Sequence, residues 1–204
     1  MSKPDFSDQV LAALAAVQRV ITQMDGQGVI IGGVAANLLG APRFTTDVDA
    51  VVLSSDEGLD ALLAIANAEG LTPRIADAAA FARRSRVLLL HHAAAEANVD
   101  ISLGILPFEV EMVENSSLHQ VGELMLRLPA PEDLVIMKAV AHRARDYADI
   151  EGIVTRHPNL DWQRIEHWVR QFAEVLEMPE LWTDLVQLRD QRKPGSRKDA
   201  KSQR

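Results

Sequence analysis

Val29-Ile30-Ile31-Gly32-Gly33, then thirteen residues, then Asp47-Val48-Asp49-Ala50-Val51-Val52-Leu53: this stretch decides how the rest of the chain is read. The first apolar run is a short strand by composition. Two glycines end it before Val34-Ala35-Ala36-Asn37-Leu38-Leu39, which reads as helix. Residues 42–46 form a loop, and 47–53 read as the next strand. Side chains alternate along a strand, so Asp47 and Asp49 point one way and Val48 points the other, into a core. Two carboxylates side by side at about 4 Å repel by roughly 4 kcal/mol at an effective dielectric of about 20. A cation offsets that cost, and hard oxygen donors on a rigid strand suit Mg²⁺ or Mn²⁺.

Upstream, Val10, Leu14, Val17, Ile21 and Met24 fall at helical spacing and predict an amphipathic helix over 7–24, with Ser7 as its cap and Phe6 stapled on Leu11. Downstream, Ser54-Ser55-Asp56 offers a cap for a helix over 57–69 that Gly70 ends. Residues 86–91 and 99–103 read as two strands, neighbours across a short Ala-rich connection. The second carries Asp100 in the apolar run Asn98-Val99-Asp100-Ile101-Ser102-Leu103. If that strand lies beside the Asp47–Asp49 strand, three carboxylates converge. Such a set can hold two ions, one arriving with a triphosphate and one activating an attacking hydroxyl. Asp100 is the acid assigned to help remove that hydroxyl's proton.

The glycine corner supplies the other half, because bare backbone N–H groups approach a phosphate closely and the following helix offers its positive end. Taken singly, each feature has a simpler reading: solvated acids on an open strand face, or a glycine pair in an ordinary turn. The ordered series of strand, Gly-Gly, helix, loop, Asp-x-Asp strand, helix and a further Asp on a strand is far more specific.

A helix over 108–113 and a strand over 124–128 follow. From Pro131 the chain turns helical, with helices predicted over 131–142, 146–156, 161–176 and 180–192; proline in the first turn and the acids Glu132 and Asp133 favour the first start. The organisation expected is an α/β core over 1–130, a helical region over 131–192, and a basic tail over 193–204 that reads as disordered.

Composition sets outer limits. Among 204 residues, 48% are hydrophobic and 25% charged, as in soluble globular proteins, while aromatics at 4% leave the core to aliphatic side chains. The absence of cysteine excludes disulfides, thiolate zinc sites and cysteine nucleophiles. No apolar run approaches the roughly 18 residues of a membrane span, and the first nine residues lack the apolar centre of a secretory leader. A cytoplasmic protein with no membrane partner is expected. The net charge of −8 is uneven, since residues 189–204 carry seven Lys or Arg against two Asp. An acidic body is a poor non-specific nucleic-acid binder. The basic end reads either as a solubilising tail or as a contact for phosphates.

Residues 29–52, with Gly32-Gly33 and Arg43-Phe44-Thr45-Thr46-Asp47-Val48-Asp49, resemble the first motif of the polymerase-beta-like nucleotidyltransferase superfamily. Pro131-Glu132-Asp133-Leu134-Val135-Ile136-Met137-Lys138 and Arg145-Asp146-Tyr147-Ala148-Asp149-Ile150 resemble its abortive-infection toxin (AbiEii-like) branch. The likeness runs over about residues 10–154. It implies an α+β fold, a polymerase-beta-like core of mixed sheet and flanking helices followed by a helical C-terminal region. It implies an NTP substrate, Mg²⁺ or Mn²⁺ held by Asp47, Asp49 and Asp100, triphosphate contacts at Gly32 and Gly33, and a phosphate contact at Lys138. Lys138, His142 and Arg145 at i, i+4 and i+7 would share one helix face; the competing reading of Lys138 is a surface lysine. Asp146 and Asp149 either orient Lys138 or Arg145 or cap the next helix. Arg43 and Thr45 are placed to reach phosphate, the alternative for Thr45 being a cap on the turn. His91 and His92 read as structural rather than zinc-binding.

The reaction implied moves a nucleoside monophosphate from an NTP to an acceptor hydroxyl. Members of the family act on tRNA ends, protein side chains and small molecules such as aminoglycosides; the basic tail leans toward tRNA, with protein as the other acceptor, and a toxin would have a cognate antitoxin as partner. Two rivals stand beside this. A haloacid-dehalogenase-type phosphatase also uses Asp-x-Asp, but at the end of a hydrophobic strand, whereas here the apolar residues follow the acids. A catalytically inactive nucleotide-binding or interaction module is the other.

Overall fold

Ser7 caps the first helix, α1 (Asp8–Gln23), its hydroxyl accepting from the Val10 N–H at 3.3 Å. The stripe of Val10, Ala13, Leu14, Val17, Val20 and Ile21 is buried, and Phe6 is buried ahead of it. Burying each larger aliphatic of that stripe is worth about 1.5–3 kcal/mol. The computed structural model describes residues 6–40, 42 and 44–191, which divide into two units, Met1–Ala130 and Pro131–Arg204.

In the first unit, β1 (Gly28–Ile31) runs into α2 (Gly32–Leu39), and the chain returns as β2 (Val48–Leu53). A helix α3 (Leu59–Ala68), an edge strand β3 (Leu71–Pro73) and a helix α4 (Ala78–Ser85) precede β4 (Val87–His92). A 3₁₀ turn at Ala93–Ala95 leads to β5 (Ala97–Gly104), then α5 (Pro107–Glu114) and the hairpin β6 (Ser117–Val121) and β7 (Leu124–Leu128). The main sheet has the order β1-β2-β5-β4-β3; β2 and β5 are parallel and the other neighbours antiparallel. β1 is buried at all four positions, which explains its unbroken apolar run. β5 alternates, with Val99, Ile101 and Leu103 buried and Asn98, Asp100 and Ser102 half-buried on the other face. β7 lies against α1 and β1.

The second unit is helical: α6 (Pro131–Ala141), α7 (Ala144–Arg156), α8 (Trp162–Val175) and α9 (Glu180–Asp190). α6 packs on α7 and α8, and α8 on α9. Asp161 caps α8 by accepting from the Gln163 and Arg164 N–H groups, each at 3.0 Å. Ile165, Trp168, Val169 and Ala173 form its buried face. The fold is thus α+β with a helical C-terminal region, as expected.

Four local expectations change. The helix expected from residue 57 starts at Leu59 behind Gly58, without a side-chain cap, because Ser54 turns its hydroxyl to the Ser55 carbonyl and Asp56 pairs with Arg86. Arg86 does not open β4. It adopts a left-handed backbone (φ +58°) that ends α4, and its guanidinium holds the Ser54 and Leu103 carbonyls. The strand expected from Asp47 begins at Val48, which puts Asp47 on the approach to β2. Lys138, His142 and Arg145 do not share a helix face, since His142 (φ +53°) ends α6 and Arg145 belongs to α7. The expected tail over 193–204 lies outside the described residues.

Candidate active site

The site is built on one level of the sheet. Parallel pairing sets Asp49 of β2 opposite Asp100 of β5, and register partners project from the same face. On the flanking strands that level continues with Ile31 of β1 and Leu89 of β4. Val48, Ala50, Val99 and Ile101 anchor the two strands from the other face, all fully buried. Asp49 and Asp100 are half-buried, and Asp47, just before β2, is exposed.

The Asp49 carboxylate lies against the first residue of α2. A Cβ added to Gly32 would stand 1.9 Å from Asp49 Oδ2, and Gly32 has φ +65°, so both space and backbone reserve the position for glycine. The two glycines are not a separate turn. They form the first turn of α2, with Gly33 buried inside it. The Asp49 carboxylate thus stands beside the glycine corner, at the positive end of the helix.

Burial pushes the Asp100 carboxyl above its ordinary value; the Arg74 guanidinium pulls it down, and Asp49 and Asp47 push it up again. All three acids therefore share one electrostatic neighbourhood. Among the described residues, no three His, Asp or Glu side chains are gathered closely enough to hold a metal ion. Asp100 takes Arg74 as its partner.

Arg74 was not among the residues the sequence singled out. Its N–H donates to the Leu89 carbonyl at 2.9 Å, extending the β3–β4 ladder by one residue. It therefore starts level with Leu89 and reaches across β4 to Asp100 Oδ1. Thr45 donates its hydroxyl to the Asp47 carbonyl at 3.3 Å, the turn-capping role. Phe44 beside it is 86% exposed. Arg43 lies outside the described residues. His92 Nδ1 accepts from the Ala95 N–H at 3.1 Å, and His91 Nδ1 lies 3.3 Å from the Asn98 side-chain oxygen.

In the helical unit, Lys138 is buried. Its ammonium donates to Asp146 Oδ1 at 3.1 Å and to Asp149 Oδ2 at 2.7 Å. Asp146 also accepts from the Arg143 N–H and side chain, so it orients the lysine and caps α7 together. Burial pushes the Asp146 carboxyl up, but hydrogen bonds from Arg143 and Lys138 outweigh it and hold it below its ordinary value. A lysine committed to two buried carboxylates is a counter-ion, and a phosphate reaching it would have to share those bonds.

The solution structure of the antibiotic-resistance factor ANT(2″)-Ia, whose description reports substrate-regulated conformation dynamics, shares the fold. It matches at a TM-score of 0.52 with 15% identity, over 87% of this chain and 99% of that one. An antigenic nucleotidyltransferase-like protein from Paracoccidioides brasiliensis aligns at a TM-score of 0.48 with 16% identity, over 88% and 93%. Residues 9–187 match the model of the family described as a nucleotidyltransferase of unknown function (DUF6036), and the chain belongs to that family. No curated protein sequence matches it. The enzyme class expected from the glycine corner and the acids is therefore the class found. Among the described residues, no helix is long and apolar enough to cross a membrane.

Proposed function

We propose that the chain transfers a nucleoside monophosphate from an NTP to an acceptor hydroxyl, and that Asp47, Asp49 and Asp100 hold the divalent ion, Mg²⁺ or Mn²⁺, that the transfer uses. The observation that carries the reading is the placement of Asp49 and Asp100 at one register level on parallel strands, with Asp49 against Gly32. The donor set fits such an ion: hard carboxylate oxygens, one of them raised by desolvation that a bound cation offsets. A bound divalent ion supplies neutralisation of the triphosphate and a lower pKa at the acceptor hydroxyl.

The chain's own residues do the rest. The acceptor oxygen forms its bond to the α-phosphorus while the bond to the β-bridging oxygen breaks, and pyrophosphate leaves with the electron pair. Asp100 takes the hydroxyl proton. The backbone at Gly32 and Gly33 and the side chain of Arg43 hold the triphosphate. Thr45 steadies the turn that presents Asp47. Lys138 stays in its counter-ion role within the helical unit.

The acceptor we favour is tRNA, on the basic residues of 189–204. A cognate antitoxin enters with the toxin reading, on the likeness of 131–150 to the abortive-infection branch. Incubating the protein with each labelled NTP and total cellular RNA and protein, wild type against Asp49→Ala, tests the whole scheme. Label on tRNA that depends on Asp49 supports it, and label on protein moves the acceptor assignment. Nucleotide bound without turnover in either variant sinks it. The toxin role stands if expression arrests growth and Asp49→Ala relieves the arrest.

A further inference from the structure

The site offers Asp100 a partner that no motif supplies. Arg74 comes from the edge of the sheet, is pinned by its backbone to Leu89, and pairs through its guanidinium with Asp100 Oδ1. That oxygen belongs to one of the carboxylates assigned to the divalent ion. A cation on one strand edge and a metal ion cannot both complete the same carboxylate's coordination at full strength. Both side chains of the pair are partly exposed, 28% for Arg74 and 43% for Asp100, so the bond opens to water and neither group is trapped. Asp47 and Asp49 add negative charge around Asp100.

We propose that Arg74 is the internal counter-ion of the acid site, a positioning residue that holds Asp100 in the ligand-free protein and that a divalent cation must displace in order to bind. The inference rests on the metal-binding reading above. Its consequence is that Arg74 weakens binding of the bare ion while keeping the acids ordered. Removing its charge leaves Asp100 with no competitor for the cation, whereas a lysine keeps charge but loses the planar fork that matches a carboxylate.

The test titrates Mn²⁺ into the full-length, nucleotide-free protein and follows free Mn²⁺ by electron paramagnetic resonance. It compares wild type, Arg74→Gln, Arg74→Lys and Asp49→Asn, and a thermal melt of each variant without metal checks the fold. Arg74→Gln is expected to bind Mn²⁺ about fivefold more tightly than wild type, the scale on which a partly exposed ion pair competes. Arg74→Lys falls between the two, and it carries the comparison if Arg74→Gln does not fold. Equal or weaker Mn²⁺ binding by Arg74→Gln, with binding lost in Asp49→Asn, overturns the counter-ion role and leaves the metal site standing. If Asp49→Asn binds Mn²⁺ as wild type does, or no variant binds it even with a non-hydrolysable NTP analogue present, the metal site itself falls and takes this inference with it.

Discussion

Two clusters in this chain are made of the same parts, aspartates and basic side chains, and burial separates what they do. On the sheet, Asp49 and Asp100 meet at one register level and Arg74 arrives from the edge, with its pair open to solvent. In the helical unit, Lys138, Asp146 and Asp149 are 6%, 0% and 4% exposed at their side chains. An exposed pair is worth about 0–1 kcal/mol and exchanges readily. A buried one resists exchange, because removing one partner strands the other charges away from water. The first cluster is therefore built to trade partners and the second to stay as it is.

The sharpest way to separate them is to remove one member of each. Asp49→Ala is expected to lower nucleotidyl transfer by at least about 10²–10³-fold, the scale of losing one electrostatic contact to the transition state. Its unfolding free energy in urea should stay within about 1 kcal/mol of the wild-type value, since relief of repulsion is set against loss of the contact at the positive end of α2. A large loss of stability instead would make the sheet acids structural and erase the contrast. Lys138→Ala should do the reverse. Taking the buried ammonium away from Asp146 and Asp149, of which Asp146 keeps Arg143, costs about 3 kcal/mol in a urea titration. A triple change of Lys138→Met, Asp146→Asn and Asp149→Leu should recover most of that loss; failure to recover would mean the lysine does more than balance charge.

Gly32→Ala probes the link between the corner and the acid. The added methyl group displaces the Asp49 carboxylate, so transfer should fall by about 10²-fold, the effect of moving a reacting group by about 1 Å. The left-handed backbone adds only about 1–2 kcal/mol of destabilisation. The same methyl would stand 2.7 Å from Asp49 Cβ, which no side-chain rotation relieves, so a melt beside steady-state kinetics should show a stability loss added to that of the backbone.

The smallest effects lie in pH. Asp146 is held below its ordinary value, so its share of stability is present above the usual aspartate range and is lost as pH falls through the lowered value. Asp100 is raised, so its share is present below the usual aspartate range and fades as pH rises through the raised value. Unfolding free energy measured from about pH 3 to 7 should have a shallower acid limb in Asp146→Asn, Glu69 still contributing to it. In Asp100→Asn it should decline less between the usual aspartate range and neutrality. Changes of slope relative to wild type that have the same sign in both variants would contradict the two assignments.

What the sequence disclosed follows from how local each signal is. α1 is legible because one stripe of Val and Leu and one Ser cap set it. β5 is legible because its residues alternate between core and open face. Asp49 and Asp100 stand out as acids in apolar strands, although only the parallel register shows that they are level. β3 is three residues ending in a proline and has no room for a pattern. α4 begins without a side-chain cap, and β6 carries Ser117, His119 and Gln120, too polar a run to mark a strand. Arg74 was invisible for a related reason, since its meaning comes from a partner two strands away. Gly32 was rightly marked, but the neighbour that explains it is a carboxylate seventeen positions later in the chain.

The parallel pairing of β2 and β5 also sets an order in time. Everything from α3 to the 3₁₀ turn is threaded between those two strands, so the distant halves of the acid pair meet only after a long crossover has closed. A chain still emerging from the ribosome and stopped at residue 92 has its glycine corner and Asp49 but no opposite acid. Any chemistry that needs both acids is thereby withheld from a product of translation that ends before Asp100, a safeguard written into strand order.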